Sequence, residues 1–234
     1  MAESDGPKLE GPSLEGPSLE PKSGTAKQLV VFLHGYGADG TDLIDIGRAW
    51  AALLPDAAFV SPHAPQPCGQ SPMGREWFPL TFRDPNERWL GVQAAAPALN
   101  AFLDAELARR KLPPQALALV GFSQGTMMAL HVGLRRKVPP AAIVGYSGML
   151  VVPETVDPDV FAAEITSRPP VLLVHGDEDQ LIPIQSLMHA TQGLAALEVP
   201  AEWHVSPGVG HGIDQEGLRH GGEFLARQFG RRLS

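Results

Sequence analysis

Residues 116–131 read ALALVGFSQGTMMALH: an apolar run, a serine between two glycines, and a helix-like stretch. The segment 121–125 is a G-x-S-x-G motif, which between a strand and a helix describes a nucleophile elbow. A serine on so tight a turn adopts a sparsely populated backbone conformation, tolerated only where the surrounding structure enforces it. The turn also brings strand and helix close together, so glycine fits two residues to either side. The pattern predicts Ser123 as a nucleophile, with an ordinary strand-to-helix turn as the alternative.

Short apolar runs alternate with helical patterns from residue 28 onward. Nearly continuous apolar strands joined by helices favour a parallel sheet covered on both faces. Pro97 predicts a bend or a break in the second helix. In such sheets the functional residues gather at the carboxyl ends of the strands, where we expect the partners of Ser123. Strands are predicted at residues 29–33, 57–61, 116–121, 141–146, 171–175 and 201–205, and helices at 42–54, 89–110, 124–136, 184–197 and 214–229.

The first 24 residues differ from the rest of the chain. Three near-copies of a five-residue unit, GPKLE, GPSLE and GPSLE, occupy residues 6–20. The period is too short for a solenoid repeat, and its proline and glycine oppose both helix and long strand. We expect a flexible or extended lead-in over residues 1–24, with its last unit along the sheet edge. A single catalytic domain is expected over residues 25–234.

Composition excludes several classes of protein. The chain has 234 residues, enough for one α/β domain, and a net charge of −8. Its basic side chains are scattered, which argues against nucleic-acid binding. The single cysteine, Cys68, rules out an internal disulfide framework and a cysteine-based zinc site. Because no signal-peptide pattern or membrane-length apolar run occurs, we expect a cytoplasmic protein without stable membrane insertion. The sequence determines no oligomeric state.

A catalytic serine requires a base, and the base requires an orienting acid. Among the eight histidines, His211 is the best placed, because it lies in the glycine-rich loop 206–212 after the last predicted strand. A loop of this kind can bring an imidazole back over the sheet to the elbow. His204 lies within that strand and His220 within the final helix, so neither is as well placed. His211 is therefore the predicted base.

Two acids, Asp177 and Asp179, directly follow the predicted strand at residues 171–175. Either carboxylate would lie at the same sheet edge as the elbow, and the residues alone leave the choice between them open. In both cases the chain order is serine, acid, histidine, which is the order found in α/β-hydrolases.

Four segments together resemble the phospholipase/carboxylesterase family of α/β-hydrolases, which includes the acyl-protein thioesterases. They are FLHGYG at 32–37, GFSQGT at 121–126, HGDEDQLIP at 175–183 and the dipeptide GH at 210–211. The resemblance runs from about residue 28 to the C-terminus. It implies an α/β-hydrolase fold: a mostly parallel central sheet with helices on both faces. No separate lid domain is expected.

The resemblance also implies roles for individual residues. The family's acid is the last residue of an H-G-x-x-D pattern, which selects Asp179. The backbone N–H of Gln124, directly after the nucleophile, is predicted to bind the oxyanion. The resemblance places the second donor at the N–H of Tyr36. Because backbone groups would do this work, we expect the side chains of Tyr36 and Gln124 to be replaceable.

Residues 35–40, GYGADG, also match the dinucleotide-binding pattern G-x-G-x-x-G. That fingerprint requires an acidic residue near the end of the second strand to hold a ribose. The predicted strand at 57–61 ends without one, and Asp56 precedes it. The glycines are better explained as an oxyanion loop. An NAD-linked oxidoreductase and a non-catalytic binding module are the alternatives from other classes. We predict no metal and no cofactor, since no suitably spaced histidine–carboxylate cluster stands out.

The aromatic-rich segment 73–82, MGREWFPLTF, has two interpretations. It is either a packed surface loop or, by resemblance to the family's Trp-containing loop, an apolar wall for an acyl chain formed by Trp77 and Phe78. Such walls suit uncharged acyl groups. The chain is therefore predicted to be a serine carboxylesterase for short-to-medium acyl esters, with thioesters or lysophospholipids as alternative substrates. Four further apolar residues are predicted to join this wall: Met149, Leu150, Ile182 and Val209.

Overall fold

The computed structural model describes residues 14–81, 83–84, 86–153 and 156–231. The first part of the predicted lead-in, residues 1–13, lies outside the described residues. The strands are β1 (Ser18–Leu19), β2 (Gln28–Leu33), β3 (Ala57–Val60), β4 (Gln66–Pro67), β5 (Arg75–Glu76), β6 (Leu117–Phe122), β7 (Ala142–Tyr146), β8 (Val171–Gly176) and β9 (Ala201–Ser206). The α-helices are α1 (Ile44–Trp50), α2 (Glu87–Arg110), α3 (Gln124–Gly133), α4 (Pro158–Ala163), α5 (Gln185–Ala196) and α6 (Gln215–Gln228).

Seven strands form the central sheet in the order β1-β3-β2-β6-β7-β8-β9. All neighbouring strands are parallel except β1 and β3. From β2 the chain moves outward to one edge, and from β6 it moves to the other edge. The carboxyl ends of β2 and β6 therefore lie side by side at a topological switch point, where sheets of this kind bind ligands. All six predicted strands are confirmed, with ends displaced by no more than one residue.

Helices cover both faces of the sheet, as predicted. The strands alternate between the faces: Val31 and Leu33 of β2 point to one hydrophobic cluster, and Val30 and Phe32 to the other. The first cluster includes buried residues of α2, α3, α4 and α5, and the second includes those of α1 and α6. Residues buried on both faces explain why the strands read as continuous apolar runs. In the described part of the chain, no inserted domain interrupts the alternation of strands and helices.

The last unit of the lead-in lies along the sheet edge, which confirms that expectation. There β1 pairs antiparallel with β3. Outside the strand, the carbonyl of Pro17 accepts a hydrogen bond from Ser61 N (3.0 Å), and that of Glu15 accepts one from His63 N (2.7 Å). Leu14 is buried in the core. Residues 14–19 of the lead-in are thus extended and packed on the sheet.

Helix α2 is continuous through Pro97, so the predicted break is wrong. A proline inside a helix leaves the carbonyl four residues earlier without its backbone donor. Here that carbonyl belongs to Gln93, and both Pro97 and Gln93 are exposed. Water can therefore serve the unpaired carbonyl. None of the helices in the described ranges combines the length and the apolar character needed to cross a bilayer.

Candidate active site

Ser123 connects β6 to α3 on a strained turn. Its backbone has φ 53° and ψ −114°, a left-handed conformation that costs roughly 1–3 kcal/mol for a residue with a side chain. The Ser123 N–H donates to the carbonyl of Tyr146 (2.9 Å), which ties the turn to β7. A Cβ at Gly125 would overlap the carbonyl oxygen of Leu33, and one at Gly121 would overlap the backbone of Gly125. The glycines are needed for close packing, as the motif predicts.

The predicted base and acid lie in hydrogen-bonding contact. Nδ1 of His211 is 2.7 Å from Oδ2 of Asp179, whose side chain is fully buried. The other carboxylate oxygen accepts N–H groups from Leu181 and Ile182, each at 2.9 Å. These donors stabilise the carboxylate and fix its orientation toward the imidazole. The His211 ring packs 5.0 Å, centroid to centroid, from Phe122, the residue before Ser123.

Asp177 has a different environment. Its side chain is exposed, and Oδ1 accepts the backbone N–H of Gly208 (2.6 Å). A second hydrogen bond, from Ser147 Oγ to the carbonyl of Gly212 (3.0 Å), holds the far side of the same loop. Asp177 and Ser147 therefore fasten the loop that carries His211. Of the two acids that the residues alone left open, Asp179 contacts the His211 imidazole and Asp177 bonds to the backbone of its loop.

A second histidine, His175, contacts the acid and was not predicted. Its Nε2 lies 2.7 Å from the carbonyl oxygen of Ile182 and 3.4 Å from Oδ2 of Asp179. The side chain is buried at the end of β8. A proton on Nε2 bonds to the Ile182 carbonyl, so His175 closes the turn 179–182 around the carboxylate. The signal in the sequence was the first residue of the H-G-x-x-D pattern.

The two predicted oxyanion donors lie in segments that adjoin Ser123. Gln124 follows it directly, and the Gly35 backbone is so close that an added Cβ would lie 3.4 Å from Ser123 Cβ. Within the described residues, neither Tyr36 N nor Gln124 N donates to another backbone group. Both N–H groups are therefore not used by the backbone of the described residues.

The Gln124 side chain is not free, in contrast to the expectation that it is replaceable. It is buried, its Oε1 accepts Trp77 N (2.9 Å), and its Nε2 donates to the carbonyl of Phe78 (2.8 Å). Burial raises the pKa of the Tyr36 phenol, and hydrogen bonding with Cys68 and the nearby Glu76 carboxylate raises it further. The Gln124 side chain thus holds the segment at Trp77 and Phe78 in place, and the expectation for the Tyr36 side chain stays a prediction.

His34 holds the start of the predicted oxyanion loop, residues 35–40, in place through hydrogen bonds of its ring. Ala64 N donates to its Nε2 (3.0 Å), so Nδ1 carries the proton and donates to the carbonyl of Gly35 (2.8 Å). Burial lowers the pKa of His34, which keeps the imidazole neutral in this tautomer. The His34 carbonyl also accepts Trp77 Nε1 (3.0 Å). A rigid loop of this kind keeps its N–H groups preorganised.

The predicted acyl wall is partly wrong. Trp77 and Phe78 are each 1% exposed, because the first packs on His34 and the second on Gly91 of α2. They belong to the core. Met149 and Leu150 are half-buried and, with Trp89 of α2, line a cleft of about 360 Å³. Trp89 was not predicted, since its place in a helix resembles ordinary packing. Two predicted wall residues do not line this cleft, the buried Ile182 and the half-buried Val209.

The switch-point sheet and the serine elbow at its centre define an α/β-hydrolase. The sequence profile of the phospholipase/carboxylesterase family matches residues 14–228, and the chain belongs to this family. The match begins earlier than the expected residue 28, because the packed part of the lead-in is included.

Individual relatives are esterases and thioesterases. The chain is 27% identical to acyl-protein thioesterase 1 of Gibberella zeae over 85% of this chain and 89% of the relative. It is 28% identical to esterase YpfH of Escherichia coli over 83% and 80%, respectively. The crystal structure of esterase PE8 superposes with a TM-score of 0.87 at 46% identity, covering 92% of this chain and 99% of that one.

Proposed function

We propose that this protein is a serine carboxylesterase that hydrolyses short-to-medium acyl esters through an acyl-Ser123 intermediate. The observation that carries the proposal is the 2.7 Å hydrogen bond between His211 Nδ1 and the buried Asp179, beside a serine held on a strained elbow. With Nδ1 committed to the acid, Nε2 of the imidazole is the atom that can accept the serine proton.

Each residue has one task in the proposed reaction. Ser123 Oγ attacks the ester carbonyl while His211 Nε2 takes its proton, and Asp179 stabilises the imidazolium without itself being protonated. The carbonyl oxygen becomes an oxyanion that accepts the N–H groups of Tyr36 and Gln124. Collapse of the intermediate breaks the ester bond, and His211 returns the proton to the leaving alcohol. Water, deprotonated by His211, then attacks the acyl-enzyme. The bond between Ser123 Oγ and the acyl carbon breaks, His211 returns the proton to Ser123 Oγ, and the carboxylic acid is released.

The cleft beside Trp89 is the proposed site of the acyl chain. Gly148, the residue before Met149, packs so closely on the carbonyl of Ser123 that an added Cβ would lie 3.0 Å from its oxygen. This contact brings the segment that carries Met149 and Leu150 close to Ser123, which supports the proposal. Its volume of about 360 Å³ is at the lower end of the range for small-molecule sites. A short or medium acyl chain fits this space better than a long one.

Labelling with a fluorophosphonate probe tests the mechanism. We expect the wild-type protein to be labelled at Ser123 and to lose its esterase activity in proportion. Ser123→Ala should not react, whereas Ser167→Ala, which removes a different buried hydroxyl, should react normally. Labelling of Ser123→Ala at the wild-type rate would show that the nucleophile is another residue.

A panel of p-nitrophenyl esters with acyl chains of increasing length tests the substrate. We expect kcat/KM to rise from the acetate to medium chains and then to fall. Leu150→Trp fills the cleft and should shift the optimum toward acetate. A wild-type enzyme active on acetate alone would contradict the assignment of the cleft. Matched oxygen esters and thioesters should be compared at the same chain length, because relatives include acyl-protein thioesterases.

A further inference from the structure

A histidine–glutamate cluster lies between the last strand and the last helix, away from Ser123. Strand β9 is at the sheet edge, and alternate residues of a strand share a face. Glu202 and Ser206 of β9 bond to Arg227 and Asp214 of the α6 region. His204 lies between them in the strand and therefore faces the same helix.

The helix presents two matching ligands. Glu216 and His220 are four residues apart in α6, which places them one above the other on one side of the helix. His220 Nε2 is 3.7 Å from Glu216 Oε1, and the His220 ring lies 4.2 Å from the His204 ring, centroid to centroid. One ligand atom from each of these residues lies within 4.8 Å of the other two.

A second, independent observation concerns His204. Its Nε2 is buried, and among the residues that the structure describes it has no hydrogen-bond partner. A buried polar atom without a hydrogen-bond partner destabilises the folded state. The nitrogen therefore retains an unused lone pair or proton in a place where two other ligands converge. A cation bound there would satisfy it.

We propose that His204, Glu216 and His220 form a binding site for Zn²⁺. Two imidazole nitrogens and a carboxylate oxygen are ligands that zinc takes in proteins, and a water molecule would complete a tetrahedron. Ligand atoms in such a tetrahedron lie about 3.3 Å apart, given zinc–ligand bonds of about 2.0–2.1 Å. Rotation of the exposed Glu216 and half-buried His220 side chains can bring the ligand atoms, now within 4.8 Å of one another, to this separation.

Arg219 is the competitor for this site. Its Nη2 lies 3.3 Å from His220 Nε2 and 3.5 Å from Glu216 Oε1, where it opposes a second cation. The same guanidinium donates to Glu223 (2.8 Å), which can hold it after zinc binds. Removing the positive charge of Arg219 should therefore raise the affinity for zinc.

The proposed zinc ligands come from the two elements that flank the loop carrying His211. Strand β9 ends at Ser206 and α6 begins at Gln215, and the loop between them carries His211. Zinc bound by β9 and α6 would join the two elements that anchor this loop. The sequence does not indicate a metal here, because these ligands are separated in the chain and a Glu–His pair at helical spacing is too common a signal by itself.

Titration calorimetry with the untagged full-length chain, stripped of metal, tests the proposal. We expect saturable binding of one Zn²⁺ per chain. His220→Asn and Glu216→Gln should each weaken zinc binding by at least about tenfold. Loss of a group that only hydrogen-bonds to a metal ligand already lowers metal affinity by that factor. Arg219→Gln should tighten binding. His189→Asn, which removes an exposed histidine of α5, is the matched control and should bind as the wild type does.

Thermal unfolding provides a second readout. Zinc should raise the Tm of the wild-type chain and of His189→Asn, but not that of His220→Asn, because a ligand bound to the folded state alone stabilises it. Absence of stoichiometric binding in the wild type overturns the proposal. So does unchanged binding in both His220→Asn and Glu216→Gln, which would place the zinc elsewhere on the protein.

Discussion

Asp179 and Asp177 are two residues apart, but they touch different groups. Asp179 holds the tautomer of His211, so we expect Asp179→Asn to lower kcat by about 10⁴-fold, as for other serine hydrolases whose acid is amidated. Asp177→Asn loses one charge-assisted hydrogen bond to Gly208 and should lower kcat only severalfold. Hydrolysis of p-nitrophenyl acetate measures both. The assignment of the acid fails if Asp177→Asn is the crippled variant.

His131 should make the stability of the fold depend on pH. Burial and the charge of Arg135 lower the pKa of His131 from 6.5 to about 3. Between these values the unfolded chain binds a proton that the folded chain does not, so the free energy of unfolding falls as the pH drops below about 6.5. The contribution between pH 7 and pH 5 is about 2 kcal/mol.

Urea unfolding at pH 7 and pH 5 checks this expectation. His131→Leu should lose less stability than the wild type on acidification, by about 2 kcal/mol. His189→Gln changes an exposed histidine and should keep the wild-type dependence on pH. Equal losses in the wild type and His131→Leu would show that His131 is not the responsible group.

At the scale of elements, the side chain of Gln124, the first residue of α3, forms hydrogen bonds to the segment before α2. The Gln124 amide serves the backbone of Trp77 and Phe78, so Gln124→Ala leaves two buried backbone groups without partners. We expect the free energy of unfolding to fall by about 2–6 kcal/mol, at about 1–3 kcal/mol per group. Gln93→Ala, on the exposed side of α2, is the control. A Gln124→Ala protein as stable as this control would contradict the expectation.

Elements differed in how well the sequence predicted them. The six strands of the parallel sheet were found because burial on both faces produces continuous apolar runs. The two-residue strands β1, β4 and β5 and the short helix α4 have too few residues for any period to show. Trp77 and Phe78 were misplaced for a related reason: the composition of a loop does not show which of its side chains turn inward.

The residues of the site also divide into those with a local sequence signal and those without one. The motifs predicted Ser123 and His211, because a glycine-flanked serine and a glycine-rich loop at a strand end are local signals. The choice between two acids depended on resemblance, since spacing in the chain carries no information on which carboxylate reaches the imidazole. The cleft at Trp89 depends on packing between distant segments and had no local pattern. The contact of His175 with Asp179, four residues further on, was signalled only by the first residue of the H-G-x-x-D pattern.

At the scale of the whole molecule, the lead-in protects one edge of the sheet. Removal of residues 1–20 would expose the backbone of β3 and uncover the core beside Leu14. Unpaired strand edges template association between chains. We therefore expect a chain that begins at residue 21 to melt at a lower temperature and to self-associate.

A chain that begins at residue 14 is the control, because it keeps every described contact of β1. Differential scanning calorimetry and light scattering should distinguish the two truncated proteins. If both behave alike, the pairing of β1 with β3 has no part in protecting the edge.

The left-handed backbone of Ser123 has a consequence for attempts to improve this protein. Glycine adopts such a conformation without the steric cost of a Cβ. Ser123→Gly would therefore relieve strain at the centre of the sheet and at the same time remove the proposed nucleophile. Stability and activity favour different residues at this position. Directed evolution that selects for stability alone would favour replacement of Ser123, so the screen must also measure turnover of substrate.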